Sequence, residues 1–247
     1  MARGHERAAK DRLILALDTV SALEARRLID ELRVYVGLFK VGLELFSRTG
    51  PALLEELHRD GVPVFFDGKF MDIPNTVARA TEAIASIGVS MFNVHASGGS
   101  RMMQAAVQAS AQACAGKRHP KPISLAVTVL TSLADADLND ELGVSANVEQ
   151  QVCRLALLAK NAGMDGVVAA ASEVVKLREV CGPDFLLVTP GLRPAWASKD
   201  DQVRVVTPAD AMRFGSDYVV IGRPITAAAD RREAAQRVLE EMEAVLA

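Results

Sequence analysis

The residues able to do chemistry cluster in one short stretch, Val64–Thr76, with the sequence VFFDGKFMDIPNT. An apolar and aromatic run, Val64, Phe65 and Phe66, ends in three charges, Asp67, Lys69 and Asp72. A run that stops at a charged turn reads as a buried strand whose C-terminal end opens into solvent or a site. Side chains two apart on a strand share a face, so Asp67 and Lys69 are expected on one side. Asp72 falls in the connection before Pro74, whose fixed φ suits the first turn of a helix. Two carboxylates bracketing one ammonium would keep a lysine charged, orient it and let it deliver a proton. The same three residues would also serve as a surface ion-pair cluster, so their place in the fold has to decide.

That place follows from the rest of the chain. Leu13–Leu17 is an apolar run ending at Asp18, with helical sequence from Ser21 to about Arg33. Leu38–Val41 is a second run, interrupted by Lys40, and a helix is expected from about Glu44 to Arg59, ended by Gly61. The third run is the opening stretch, with a helix from about Pro74 to Ile87 that stops at Gly88. Met91–His95 leads through Ala96–Ser100 (ASGGS) into a helix rich in Ala, Gln and Met. Ile123–Leu130 ends at Thr131 and Ser132, and a helix over about Val148–Asn161 is closed by Gly163. Gly166–Ala170 precedes a helix at about Ser172–Val180. Phe185–Thr189 precedes a long loop, Pro190–Val206, and a short helix beginning near Thr207–Pro208. Tyr218–Ile221 is the last run, and a final helix runs from about Pro224 to the C-terminus.

None of these runs alternates cleanly, which is how strands buried on both faces read. Strand–helix alternation implies a parallel sheet, and eight units in 247 residues match a closed, single-domain (β/α)8 TIM barrel over residues 1–247. An open doubly wound sheet is the competitor, but no G-x-G-x-x-G follows the first run, where a dinucleotide fold would usually carry it.

Active sites of such barrels sit at the C-terminal ends of the strands. The polar residues expected there are Asp18, Lys40, Asp67 with Lys69, His95, Thr131 with Ser132, Thr189, and Gly222 with Arg223. Lys40 inside an apolar run needs partners, and Asp18 and Asp67 on the neighbouring strands are the natural ones. Four alternating charges on three adjacent strands, with Asp72 nearby, make a purely stabilising ladder a poor explanation, because buried ion pairs rarely add net stability. Two lysines in the set also differ from a divalent-metal site, so no metal is expected. Ile221–Thr226, IGRPIT, places a glycine, an arginine and a helix-starting proline after the last strand, a pattern suited to a phosphate. A tight turn with a solvated arginine would look the same. His95 reads more readily as a hydrogen-bonded structural residue than as an acid or base. In ASGGS, a Gly-Gly turn with Ser100 as helix N-cap explains as much as an anion cradle does. Trp196 marks the loop after the seventh strand as a candidate lid.

Bulk properties narrow the function classes. The formal net charge is −3 with no long basic run, which argues against nucleic acid as a partner. Cys114, Cys153 and Cys181 are scattered and odd in number, so neither a zinc site nor a disulfide framework is suggested. No signal-peptide core follows the polar N-terminus, and no run is long enough to span a membrane. A cytoplasmic setting is expected.

The residues together resemble the orotidine 5′-monophosphate decarboxylase family. The resemblance is carried by Asp67-x-Lys69-x-x-Asp72-Ile73-Pro74-Asn75-Thr76 with Asp18 and Lys40 upstream. Leu130-Thr131-Ser132, Thr189-Pro190-Gly191-Leu192-Arg193-Pro194, Asp201-Gln202 and Ile221-Gly222-Arg223-Pro224-Ile225-Thr226 extend it over nearly the whole chain. It implies cofactor-free decarboxylation of orotidine 5′-monophosphate to UMP, the last step of de novo pyrimidine synthesis, by a homodimer. It further implies Lys69 as proton donor to C6 and Asp67 against the departing carboxylate. Lys40 would hold the array together and reach the ribose, and Asp18 would bind the ribose hydroxyls. Thr131 or Ser132 would meet the pyrimidine edge. Pro190 would line the substrate site, while Arg193, Gln202, Gly222 and Arg223 would grip the phosphate, with the loop between them closing. Asp72, Ile73 and Thr76 would enter the partner subunit's site. Relatives with the same D-x-K-x-x-D barrel, such as 3-keto-gulonate-6-phosphate decarboxylase or hexulose-phosphate synthase, work through Mg²⁺ and an enediolate. The Thr131-Ser132 pair and the Gln202 loop favour the nucleotide enzyme. A non-catalytic sugar-phosphate sensor has little reason to hold two carboxylates against an anionic ligand.

Overall fold

Each apolar run becomes one strand, and the strands pair in chain order until the last meets the first. The computed structural model describes residues 8–197 and 206–246. Its strands are β1 Leu13–Ala16, β2 Leu38–Gly42, β3 Val64–Phe70, β4 Met91–His95, β5 Ile123–Val127, β6 Gly166–Val168, β7 Leu186–Thr189 and β8 Tyr218–Ile221. All pairings are parallel, and β1 pairs with β8, so the sheet is a closed barrel with no edge left to protect.

The helices are α1 Ala9–Arg12, α2 Ala22–Leu32, α3 Leu43–Thr49, α4 Pro51–Arg59, α5 Pro74–Ile87, α6 Ser100–Cys114, α7 Val148–Asn161, α8 Val174–Cys181, α9 Pro208–Phe214, α10 Arg223–Thr226 and α11 Arg231–Glu243. Their ends have local causes. The Asn147 side chain accepts from Gln150 N–H at 2.9 Å and starts α7. Thr207 does the same for α9 through Asp210 N–H at 3.1 Å. Gly88, in the left-handed region at φ 96°, closes α5.

Five expectations are corrected. The helix expected over Glu44–Arg59 is two, because Gly50 takes φ 63° and Pro51 opens α4 without an N–H to give. The final helix is likewise broken, into α10 and α11. The fifth strand stops at Val127, where the Thr128 hydroxyl bonds Val168 O at 3.1 Å. Ser100 is the first residue of α6, and the cap position belongs to Gly99 at φ 86°. The third strand runs on to Phe70, through the charges, and its pairing with β4 slips between Phe66 and Phe70. The short α1 and a π-helical turn at Asp137–Glu141 carried no periodic signal.

Alternation along the strands sorts the side chains into two cores. Leu13, Leu15, Phe39, Val41, Val64, Phe66, Phe92, Val219 and Ile221 face the helices. Ile14, Ala16, Leu38, Phe65, Met91, Leu125, Val188, Tyr218 and Val220 fill the barrel. Continuing the inward series by two residues reaches Lys40 after Leu38, Asp67 after Phe65 and Asn93 after Met91. The fold thus delivers Lys40 and Asp67 to the mouth of the lumen by period alone.

The opposite end is tied by buried polar groups. Arg12 donates to Ser216 O at 2.6 Å and Asp217 O at 3.0 Å, clipping the start of β1 to the start of β8. Arg178 pairs with the Asp217 carboxylate, which also accepts from Leu187 N–H at 2.8 Å. At the other end, after the C-terminus of β6, buried Glu173 accepts from Ala170 N–H at 2.9 Å, and burial pushes its carboxyl up to about 7. A raised folded-state value means that this group's contribution is lost as pH climbs from the ordinary carboxylate range through about 7. Glu173→Gln keeps an acceptor for Ala170, so it should add up to about 3 kcal/mol of stability at pH 8 and almost nothing at pH 4. Melting curves at the two pH values check this.

Candidate functional site

The lysine and carboxylate side chains form one chain of contacts. Lys40 Nζ lies 3.1 Å from Asp67 Oδ2 and 3.6 Å from Asp18 Oδ1. Lys69 Nζ donates to Asp67 Oδ1 at 2.6 Å. Asp67 is therefore gripped from both sides by ammonium groups and is only 8% exposed. Burial pushes the Asp67 carboxyl up, but Lys40, Lys69 and a hydrogen bond from Asn93 outweigh it and hold the group below its ordinary value. His95, on the same face of β4, is driven down by burial and by the Lys69 charge, against a smaller pull from Asp67. Its ring makes no hydrogen bond among the described residues, contrary to the expectation of a hydrogen-bonded structural histidine.

Asp67 and Lys69 do face each other, though not through regular alternation. Lys69 has φ 48°, the one positive value among described residues other than glycine. Gly68 between them is required by packing: a Cβ there would sit 2.3 Å from Phe66 Cε1. Phe66 cannot yield, because its ring is fixed between Phe46 and Phe70, with centroids 4.8 and 5.6 Å away.

Two cavities adjoin the array. The inner one, about 280 Å³, has Lys40, Asp67 and Lys69 on one wall and Val127, Val168 and Ala169 on the other, with Thr131 and Pro190 at its rim. The outer one, about 620 Å³, is lined by Arg193, Trp196 and Arg223. Asp18, Gly191, Val220 and Gly222 border both. Gly222 permits the join, since a Cβ on it would lie 3.2 Å from Asp18 Oδ2. The loop bearing Arg193 is pinched at its base by Arg193 N–H to Val206 O, 3.2 Å. Trp196 is fixed there by the Arg237 guanidinium, 4.5 Å from its ring centre. A third cavity, about 370 Å³, opens at the far end of the barrel. Its Lys121 is committed to Asp165 at 3.1 Å, and this fold keeps its chemistry at the other face.

Not every expected residue joins the site within one chain. Ser132 is exposed and outside both cavities, whereas Thr131 lines the inner one. Asp72, Ile73 and Thr76 are exposed; Asp72 accepts from Ile73 N–H at 2.6 Å and forms no ion pair among the described residues. Thr189 is buried and bonds Ser216 Oγ at 2.7 Å, a structural role. Gln202 and the end of the Ala195–Asp200 loop lie outside the described residues. The three cysteines are free, and burial raises each thiol above its ordinary value, so none is set up as a nucleophile. Asn93 was missed: a polar residue between Met91 and His95 on the inward face was the signal that should have found it.

A closed (β/α)8 barrel that gathers charges over a cavity at its strand C-termini has the build of an enzyme. The sequence matches the profile of the Orotidine 5′-phosphate decarboxylase / HUMPS family over residues 11–238. It is 51% identical over 237 residues to orotidine 5′-phosphate decarboxylase from Moorella thermoacetica, covering 96% of this chain and 94% of that one. The same enzyme from Heliobacterium modesticaldum is 50% identical, with 95% and 96% covered. The crystal structure of orotidine 5′-phosphate decarboxylase from Lactobacillus acidophilus superposes with a TM-score of 0.83 at 38% identity, covering 93% of this chain and 98% of that one. An uncharacterised conserved protein from Geobacillus kaustophilus superposes at 0.80 with 39% identity, covering 93% and 99%. The chain belongs to the orotidine 5′-phosphate decarboxylase / HUMPS family, and the curated relatives named above are lyases.

Proposed function

We propose that this chain, folded as one barrel domain, decarboxylates orotidine 5′-monophosphate to UMP without metal or cofactor. The observation that carries the reading is Asp67 held between Lys40 at 3.1 Å and Lys69 at 2.6 Å, beside a cavity holding two arginines. Two joined cavities suit a ligand with a reacting ring at one end and an anion at the other. In this reading the pyrimidine enters the inner cavity against Thr131 and Pro190, with Ser132 near its edge. Asp18 and Lys40 meet the ribose hydroxyls, and the phosphate lies with Arg193, Gln202, Gly222 and Arg223.

The reaction breaks the bond from C6 to the carboxyl carbon; CO₂ leaves and the electron pair stays on C6. That carbanion has no conjugated sink, so fixed charge has to stabilise it. The Lys69 ammonium does so and then gives C6 a proton. Asp67, facing the substrate carboxylate, disfavours the ground state more than the transition state. Phosphate binding remote from C6 supplies the energy for closure and strain. Two ammonium groups on Asp67 occupy the approach a divalent cation would need, which supports the nucleotide enzyme over the Mg²⁺-dependent relatives.

A homodimer is part of the proposal. Met71 and Ile73, 57% and 67% exposed, flank Asp72 beside the array and support burial against a second copy, carrying Asp72, Ile73 and Thr76 into its site. No helix among the described residues is long and apolar enough to cross a membrane, and three free thiols suit a cytoplasmic setting. The test is the loss of orotidine 5′-monophosphate absorbance on adding purified protein, with and without EDTA. Loss unaffected by EDTA is expected. No loss would move the assignment to a Mg²⁺-dependent sugar-phosphate lyase, and loss abolished by EDTA would keep the substrate but overturn the metal-free mechanism.

A further inference from the structure

Between Phe66↔Phe92 and Phe70↔Val94 the pairing of β3 with β4 sets Asp67, Gly68 and Lys69 against the single residue Asn93. Such a bulge leaves backbone groups without ladder partners. Asn93 replaces one missing rung with its side chain and ties the Asp67 carboxylate to it. Its Oδ1 accepts from Lys69 N–H at 2.7 Å, and its Nδ2 donates to Asp67 Oδ1 at 2.7 Å. Asn93 is 1% exposed, so water is not available to take over either bond. One planar amide thereby spans the main chain of Lys69, held at φ 48°, and the carboxylate that receives the Lys69 ammonium.

We propose that Asn93 is a positioning residue for the reaction: its amide locks the Lys69 backbone and the Asp67 carboxylate into one frame, so that the ammonium meets C6 from a fixed point. This rests on the reading of Lys69 as proton donor. A reacting group displaced by about 1 Å loses on the order of 10²-fold in rate. The phosphate grip, on the far side of the site, is untouched by the change.

The experiment is steady-state kinetics with Asn93→Ala and Asn93→Asp, run beside Lys69→Ala. For Asn93→Ala, kcat should fall about 10²-fold while KM changes less than about threefold. Asn93→Asp keeps the acceptor for Lys69 N–H but donates to Asp67 only when protonated. The groups facing Asp67 are Lys40 from β2, Lys69 from its own strand and His95 from β4. None of them changes sign to offset a second carboxylate as pH rises. Asn93→Asp should therefore regain activity over Asn93→Ala toward acid pH and lose it as pH climbs, a profile no packing defect produces. A kcat for Asn93→Ala within threefold of the parent overturns the proposal. So does an Asn93→Asp profile parallel to that of Asn93→Ala. If Asn93→Ala does not fold, the Asn93→Asp profile against the parent decides alone. Near-normal turnover by Lys69→Ala would instead fault the reading of Lys69 itself.

Discussion

Lys69→Ala should lose at least about 10⁴-fold in kcat toward orotidine 5′-monophosphate, with KM changed less than tenfold. The ammonium is asked to do two things: hold positive charge beside C6 while CO₂ departs, then protonate it. Preorganised charge contributes about 10²–10³ and a placed general acid about 10²–10⁴, and one substitution removes both. The scaffold should survive, because Asp67 keeps Lys40 at 3.1 Å and Asn93 at 2.7 Å as partners. Melting temperature and single-turnover rates measured together check this. Turnover within tenfold of the parent, at normal stability, would refute the proton-donor role.

Asp67→Asn should cost about 10³-fold in kcat and, unlike Lys69→Ala, tighten substrate binding. The carboxylate does two separable jobs. It orients both ammonium groups, and it crowds the substrate's own carboxylate in the ground state. An amide fails at the first and relieves the second, so kcat and KM should fall together, the pattern of released ground-state strain. A parallel change appears in stability. Asp67 sits below its ordinary value, so its contribution is present above the ordinary carboxylate range and lost as pH falls through the depressed value. The variant lacks that acid sensitivity, although it leaves two lysines less compensated at neutral pH. Steady-state kinetics and melting curves from pH 3 to 7 measure both. A raised KM would leave Asp67 a purely orienting role.

The barrel was legible because each strand is built on a short apolar run and each long helix carries its own punctuation. Met91–His95, Tyr218–Ile221, Pro74–Ile87 and Val148–Asn161 fall where the sequence reading puts them, the helices marked by Pro74, Gly88 and Gly163. The break at Gly50–Pro51 was legible in the Gly-Pro pair itself, but apolar spacing that continues across it outweighed that signal in the reading. At the site, period two correctly brought Asp67 and Lys69 together but missed the means. Their contact depends on a bulge and a left-handed lysine, features set by Phe66 packing and by Asn93. Neither has a signature in spacing. Asp72 shows a different case: it is exposed and forms no ion pair among the described residues, so nothing packed against it within the chain assigns its role.

The bonds from Arg12 to Asp217 and Ser216 join positions 205 and 204 apart along the chain. Closing so long a loop is only slightly dearer than closing one half its size. Timing is affected more than energy. A ribosome that stalls before Asp217 leaves an open sheet with two bare edges, the kind of surface that invites aggregation. The seam between the first and last strands therefore closes only once β8 has been made.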